Sequence, residues 1–111
     1  MYALSNLNKL AHVGELVPET MQAFKAYDKA ALADGAIPKK YRELIAIAVS
    51  CTTQCPYCLE AHAKAAQAAG ASREEVVEAS LIAAALRAGG SATHGTMALK
   101  FFDKQAEPKK A

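Results

Sequence analysis

The sequence predicts an all-α, single-domain fold of about five to six helices, and three observations carry that expectation. Alanine, the best helix former, occurs 26 times, whereas the strand-favouring Val, Ile and Thr together occur 14 times. Apolar residues recur with a helical rather than an alternating period. Proline, glycine and capping signals cut the chain into helix-length pieces. At 111 residues the chain is of one-domain length.

The elements follow in order. Residues 1–17 form a weakly patterned N-terminal segment with a short helix expected near 6–12. The main helical domain spans 18–102. Its first helix, about 18–33, opens on Pro18, which suits a first turn, and on Glu19, which suits the positive end of the dipole. Met21, Phe24 and Leu32 supply its apolar stripe, and Asp34-Gly35 is expected to stop it with glycine in the left-handed conformation. Pro38 opens a second helix, about 38–51, in which Tyr41, Leu44, Ile45 and Ala48 fall at i, i+3, i+4 and i+7 of a buried face. Thr52-Thr53 is the expected N-cap of a third helix that Gly70 stops. Ser72 and Glu75 make a capping box for a fourth helix, about 73–88. Gly89-Gly90 is expected to break the chain before a last helix over 91–102, and 103–111 to form a frayed tail. A weak echo at a spacing of 35 residues suggests two helix-Gly-helix units, too few for a solenoid.

Composition also excludes. A net charge of +2 gives no electrostatic reason for a nucleic-acid or membrane partner. Hydrophobic residues at 52% and charged residues at 22% argue against disorder. The N-terminus shows no signal-peptide pattern, and the longest uncharged stretch, 44–59, is too short and polar to span a bilayer. Three cysteines within eight residues, without a leader, point to redox or metal chemistry in a reducing, cytoplasmic setting.

The chemistry is concentrated in Cys51-Thr-Thr-Gln-Cys55-Pro-Tyr-Cys58-Leu-Glu-Ala-His62. A metal reading uses Cys51, Cys55, Cys58 and His62, but one continuous helix would spread these over roughly 16 Å of axis, beyond the reach of a tetrahedral ion. Only a break at 52–54 could gather some of them. The C-x3-C-x2-C spacing resembles the cluster loop of radical S-adenosylmethionine enzymes, which need a barrel this chain cannot supply. Cys-Pro-Tyr-Cys is the active-site string of glutaredoxins, yet the later strands and cis-proline of that fold are absent from the sequence. Simple burial is the better reading for Cys51. For the other two, a redox dithiol fits best. Cys55, Cys58 and His62 lie at i, i+3 and i+7 on one face near a helix start, where the dipole favours a thiolate. His62, one turn beyond Cys58, can take up or return its proton. Glu43 stands beside the apolar stripe, at i, i+4 and i+8 with Ile47 and Cys51. It is either a surface residue paired with Lys39 or Lys40, or a partnered member of the same constellation. His94 reads as a structural or interface residue.

Glu43, eleven residues, then Cys55-x-x-Cys58-x-x-x-His62 resembles the alkylhydroperoxidase D-like family of the carboxymuconolactone-decarboxylase-like superfamily. The resemblance covers roughly 18–100. It implies an all-α protomer that associates through its helices into trimers or hexamers. It also implies reduction of hydroperoxides, or thiol-disulfide exchange, with no metal, flavin or other cofactor. A dithiol donor such as a lipoyl protein or a thioredoxin-like protein would restore the thiols. Carried over residue by residue, Cys58 is the peroxidatic thiolate, Cys55 the resolving thiol, His62 the base and Glu43 the extension of the relay, through water. Position alone would instead make Cys55, nearer the helix end, the nucleophile. Some relatives carry a second histidine between the cysteines where this chain has Pro56-Tyr57, which implies a weaker relay and slower peroxide turnover. A non-peroxidase thiol-disulfide adaptor or redox sensor is the main alternative, followed by a structural zinc module. A lactone decarboxylase is disfavoured because those members generally lack the cysteine pair.

Overall fold

Helix-forming composition and well-placed prolines set the architecture of the computed structural model, which describes residues 3–106. A 3-10 turn over Leu4–Lys9 leads into α1, Leu10–Leu16. Then come α2, Pro18–Leu32, α3, Lys39–Thr53, α4, Pro56–Ala68, and α5, Arg73–Ala106. Every described regular element is helical. The helix expected near 6–12 is therefore split between the 3-10 turn and α1.

Pro18 occupies the first turn of α2, as its fixed φ and missing N–H favour. The helix ends at Leu32, because Ala33 turns to extended backbone with ψ 159°. Gly35 does not supply the stop expected of it, since the glycine with positive φ is Gly70. Its smallness is used differently: a Cβ at Gly35 would run into the Arg42 guanidinium. That guanidinium folds back over the α2–α3 loop, donating from Nε to the Ile37 carbonyl at 2.7 Å and from Nη1 to the Ala31 carbonyl at 2.9 Å.

Two further boundaries depart from expectation. Thr52 and Thr53 do not cap α4; they close α3, their hydroxyls donating to the Val49 and Ser50 carbonyls of the preceding turn. Gln54 then takes the left-handed conformation at φ 58°, and Cys55 becomes the cap of α4. Gly89-Gly90 does not break the chain, because α5 runs straight through both. Each glycine in a helix costs about 1 kcal/mol, which neighbouring turns can absorb. The Thr93 hydroxyl donates to the Gly89 carbonyl at 2.8 Å, and the His94 ring nitrogen Nδ1 meets the Gly90 carbonyl at 3.0 Å. The last helix and the start of the expected tail, through Ala106, thus belong to α5; 107–111 lie outside the described residues.

The α4–α5 corner keeps its sequence signals. The Ala71 amide donates to the Ala66 carbonyl and the Gly70 amide to the Gln67 carbonyl, the paired bonds of a Schellman C-cap, with Gly70 at φ 92°. The capping box at Ser72 forms in both directions: Glu75 N–H donates to Ser72 Oγ at 3.1 Å, and Ser72 N–H donates to Glu75 Oε1 at 2.9 Å.

The core is narrow. Leu44 and Ile47 of α3 meet Ala66 of α4 and Ala79 of α5, with Cys51, Leu59, Ala71 and Val76 packed around them. The buried face of α3 is Glu43, Leu44, Ile47 and Ser50. Tyr41 and Ile45, expected on that face, are about half exposed. They border a groove between α3 and α5, completed by Ala48, Ala79 and Ile82. Each side chain from 84 to 105 is exposed. The described residues measure 63 × 39 × 32 Å with a radius of gyration of 20.1 Å, against about 13 Å for a compact chain of this length. Its accessible surface is 8888 Å², whereas a compact folded chain of this mass exposes roughly 5,900 Å². Phe24, Leu81, Leu86, Phe101 and Phe102 are among the large apolar side chains left uncovered.

Gly70→Ala is expected to destabilise the fold by about 1 kcal/mol or more, because an L side chain is strained at positive φ. Thermal unfolding of the variant against the parent measures it.

Candidate active site

A turn of chain between α3 and α4 brings the chemistry together. Left-handed Gln54 ends α3, and Pro56 begins α4 one residue after the Cys55 cap. Cys55 and Cys58 are joined as a disulfide, their Cα atoms 5.3 Å apart. Cys58 N–H also donates to Cys55 Sγ at 3.2 Å, so this sulfur does the work an oxygen does in an ordinary N-cap. His62 follows Cys58 by four residues, on the same face of α4 and one turn further along.

Glu43 reaches the same place from α3. Its side chain is 2% exposed, and both of its oxygens are engaged. Oε2 lies 2.7 Å from His62 Nδ1, and Oε1 accepts from Lys39 Nζ at 2.7 Å. The pairing with Lys39 forms, but on a buried carboxylate rather than the surface residue of that reading, and the contact with His62 is direct rather than through water. Burial pushes its carboxyl up, but the hydrogen bonds and charges of Lys39 and His62 outweigh that and hold it below the usual glutamate range. Glu43 is therefore ionised at neutral pH and can only accept, so His62 Nδ1 carries the proton. In the neutral ring the lone pair is then on Nε2, the nitrogen free to act as a base.

The remaining candidates separate clearly. Cys51 is a free thiol, half-buried against the core. His94 lies on the exposed part of α5 and bonds its own helix. Among the described residues, no three His, Cys, Asp or Glu side chains converge as metal ligands would. Tyr57, between the two cysteines, receives N–H bonds from Asn6 Nδ2 at 3.0 Å and from the Ala3 backbone at 3.3 Å, pinning the N-terminal segment to the start of α4. Nothing in the sequence signals that contact, because it joins residues more than fifty positions apart.

An all-helical protein with a Cys-x-x-Cys disulfide at a helix start and a buried carboxylate behind a histidine is what this fold and site define. The carboxymuconolactone decarboxylase family model matches residues 18–101, and the chain belongs to that family. It is 45% identical over 82 residues to "uncharacterized protein 4 in cox locus" of Paracoccus denitrificans, covering 74% of each chain. It is 33% identical over 101 residues to an uncharacterized protein of Cupriavidus necator, covering 90% of this chain and 89% of the other. The apo structure of a carboxymuconolactone decarboxylase family protein from Legionella pneumophila superposes with a TM-score of 0.70 at 33% identity, over 93% of this chain and 92% of that one. A protein from Methanobacterium thermoautotrophicum gives the same score at 31% identity, over 75% of this chain and 93% of that one. No described helix is long and apolar enough to cross a membrane.

The depressed carboxyl of Glu43 sets a pH dependence. A carboxylate held low in the folded state stabilises above its unfolded pKa, and that stability is lost as pH falls through the folded value. Melting temperature is expected to drop below about pH 4.5, the unshifted value for glutamate. Glu43→Gln should flatten that limb and cost about 1–3 kcal/mol at pH 7. Thermal melts from pH 3 to 7 check both.

Proposed function

We propose that this protein is a cofactor-free thiol oxidoreductase that reduces hydroperoxides through Cys58 and Cys55. The observation that carries the reading is the His62–Glu43 hydrogen bond at 2.7 Å, made from the helix that bears the disulfide. In the reduced protein, His62 Nε2 takes the Cys58 thiol proton, and the thiolate attacks the distal oxygen of a hydroperoxide. The O–O bond breaks, the sulfur becomes a sulfenic acid, and the alkoxide leaves as the alcohol with the proton His62 held. The Cys55 thiol attacks that sulfur and expels water, giving the disulfide. A dithiol donor then reduces the disulfide and is itself oxidised. Position at the cap favours a thiolate on Cys55, whereas His62 and the family resemblance favour Cys58, the attacking sulfur in this mechanism.

Tyr57 supports a second reading. Where some relatives have a further histidine, this chain has a phenol that binds the N-terminal segment. That favours a thiol-disulfide adaptor with a small-molecule or protein disulfide as substrate and peroxide as a poor one. Comparing rates with an organic hydroperoxide and with a lipoyl disulfide separates the two, a large preference for the disulfide selecting the adaptor.

The working unit in this reading is a homo-oligomer, a trimer or hexamer. Its support is the excess surface and the apolar residues of α2 and α5. Light scattering is expected to give a multiple of 11.7 kDa.

Cys58→Ser should abolish hydroperoxide consumption. Cys55→Ser should allow one turnover and leave a sulfenic acid on Cys58 that dimedone traps, read by peptide mass spectrometry. Undiminished turnover in Cys58→Ser would sink the reading.

A further inference from the structure

Lys39 stands at the junction of three structures. Its ammonium donates to Glu43 Oε1 at 2.7 Å and to the carbonyl of Leu32, the last residue of α2, at 2.6 Å. Its backbone N–H donates to Asp34 Oδ1 at 2.9 Å, which fixes the start of α3. The side chain is 42% exposed while its carboxylate partner is 2% exposed, so the lysine approaches a buried group from the solvent side.

We propose that Lys39 is a positioning residue for the thiol relay, one that occupies the first oxygen of Glu43 so that the second orients His62. The inference rests on the relay reading given above. A buried carboxyl without a cation tends to take up a proton. A protonated Glu43 could donate to His62 Nδ1 instead of accepting from it. The ring would then carry its proton on Nε2, and the lone pair needed to receive the Cys58 proton would face the wrong partner. By neutralising Glu43 while leaving Oε2 free, Lys39 fixes the direction of the Glu43–His62 bond. The charged groups facing Glu43 among the described residues are Lys39 of its own helix and His62 of α4. From α5, Glu75 is already paired with Lys40 at 3.0 Å. The anchor on Leu32 gives the ammonium a fixed seat, at the helix end where a positive charge is favoured.

The test uses reduced full-length protein with three variants: Lys39→Met, Lys39→Arg and Glu43→Gln. Iodoacetamide alkylation of Cys58 is followed from pH 4 to 9, and nitrogen NMR shifts of His62 report which ring nitrogen bears the proton. Lys39→Met is expected to move the acid limb of the alkylation profile upward by about one unit or more. It should also shift the ring of His62 away from the Nδ1–H form. Lys39→Arg, which keeps the charge, should restore most of both. A helical circular dichroism spectrum like that of the parent shows that a variant is folded. Should Lys39→Met disturb the fold, the arginine variant and the NMR signature of a Lys39→Gln protein, which keeps a donor without the charge, decide the matter. A Lys39→Met profile that superposes on the parent, while Glu43→Gln shifts it, overturns the inference and leaves the relay intact. If Glu43→Gln also leaves the profile unmoved, the relay itself fails and the inference falls with it.

Discussion

A single buried carboxylate organises this protein. Glu43 joins a lysine at the start of its own helix to a histidine nineteen residues on, across a reversal of the chain. Removing both partners from a buried glutamate would leave it protonated or strongly destabilising, since an isolated charge in a protein interior is among the most costly of groups. The fold answers by engaging each oxygen separately. The ammonium is tied to the end of α2, the imidazole belongs to α4, and so the carboxylate fixes three helices relative to one another. In the proposed chemistry, the same bonds that make burial tolerable prepare the imidazole to accept a proton.

Apolar burial does little of this work within the chain. The core holds one leucine and one isoleucine as its large buried members, accompanied by alanines. Full burial of each large side chain is worth about 1.5–3 kcal/mol, a small sum against the entropy of ordering a chain of this length. Alanine instead lets the helices approach closely, and Ala66 is 0% exposed at the meeting of α3, α4 and α5. Close approach is what lets short side chains and short hydrogen bonds span between helices. The beginning of α5 is held by the capping box at Ser72 and by the Lys40–Glu75 pair, whose partners sit on different helices.

The helical class was legible from alanine content and period, and the stops at Gly70 and Ser72 were legible because glycine and a capping box act through local geometry. The Gly89-Gly90 pair misled for the opposite reason. Propensity is a weak local preference, and two glycines inside a 34-residue helix are outweighed by the hydrogen bonds on either side. Thr52-Thr53 offered hydroxyls that serve equally at the end of a helix, so residue type alone could not place the boundary. At the site, the i, i+3, i+7 spacing put Cys55, Cys58 and His62 on one face. Glu43 could be suspected from its register with Ile47 and Cys51, but its choice between lysine and histidine depended on the turn at Gln54. The engagement of both depended on packing that no local pattern encodes. Tyr57 was legible as a departure from the resemblance, but its tie to Asn6 and Ala3 was not.

The placement of the cysteines and His62 on one short helix has a consequence for how such a chain can vary in length. Adding one residue between Cys58 and His62 would swing the imidazole about 100° around the helix axis and advance it by about 1.5 Å, away from both the sulfur and Glu43. The interval between Glu43 and Cys55 is constrained in another way, because it spans most of α3 and the reversal that follows. Beyond Ala83, by contrast, α5 is exposed and has left both the site and the core, so insertions there change its reach without disturbing the register of the cysteine pair. Length is therefore fixed where the two helices of the site meet, and free to change along the exposed run of α5.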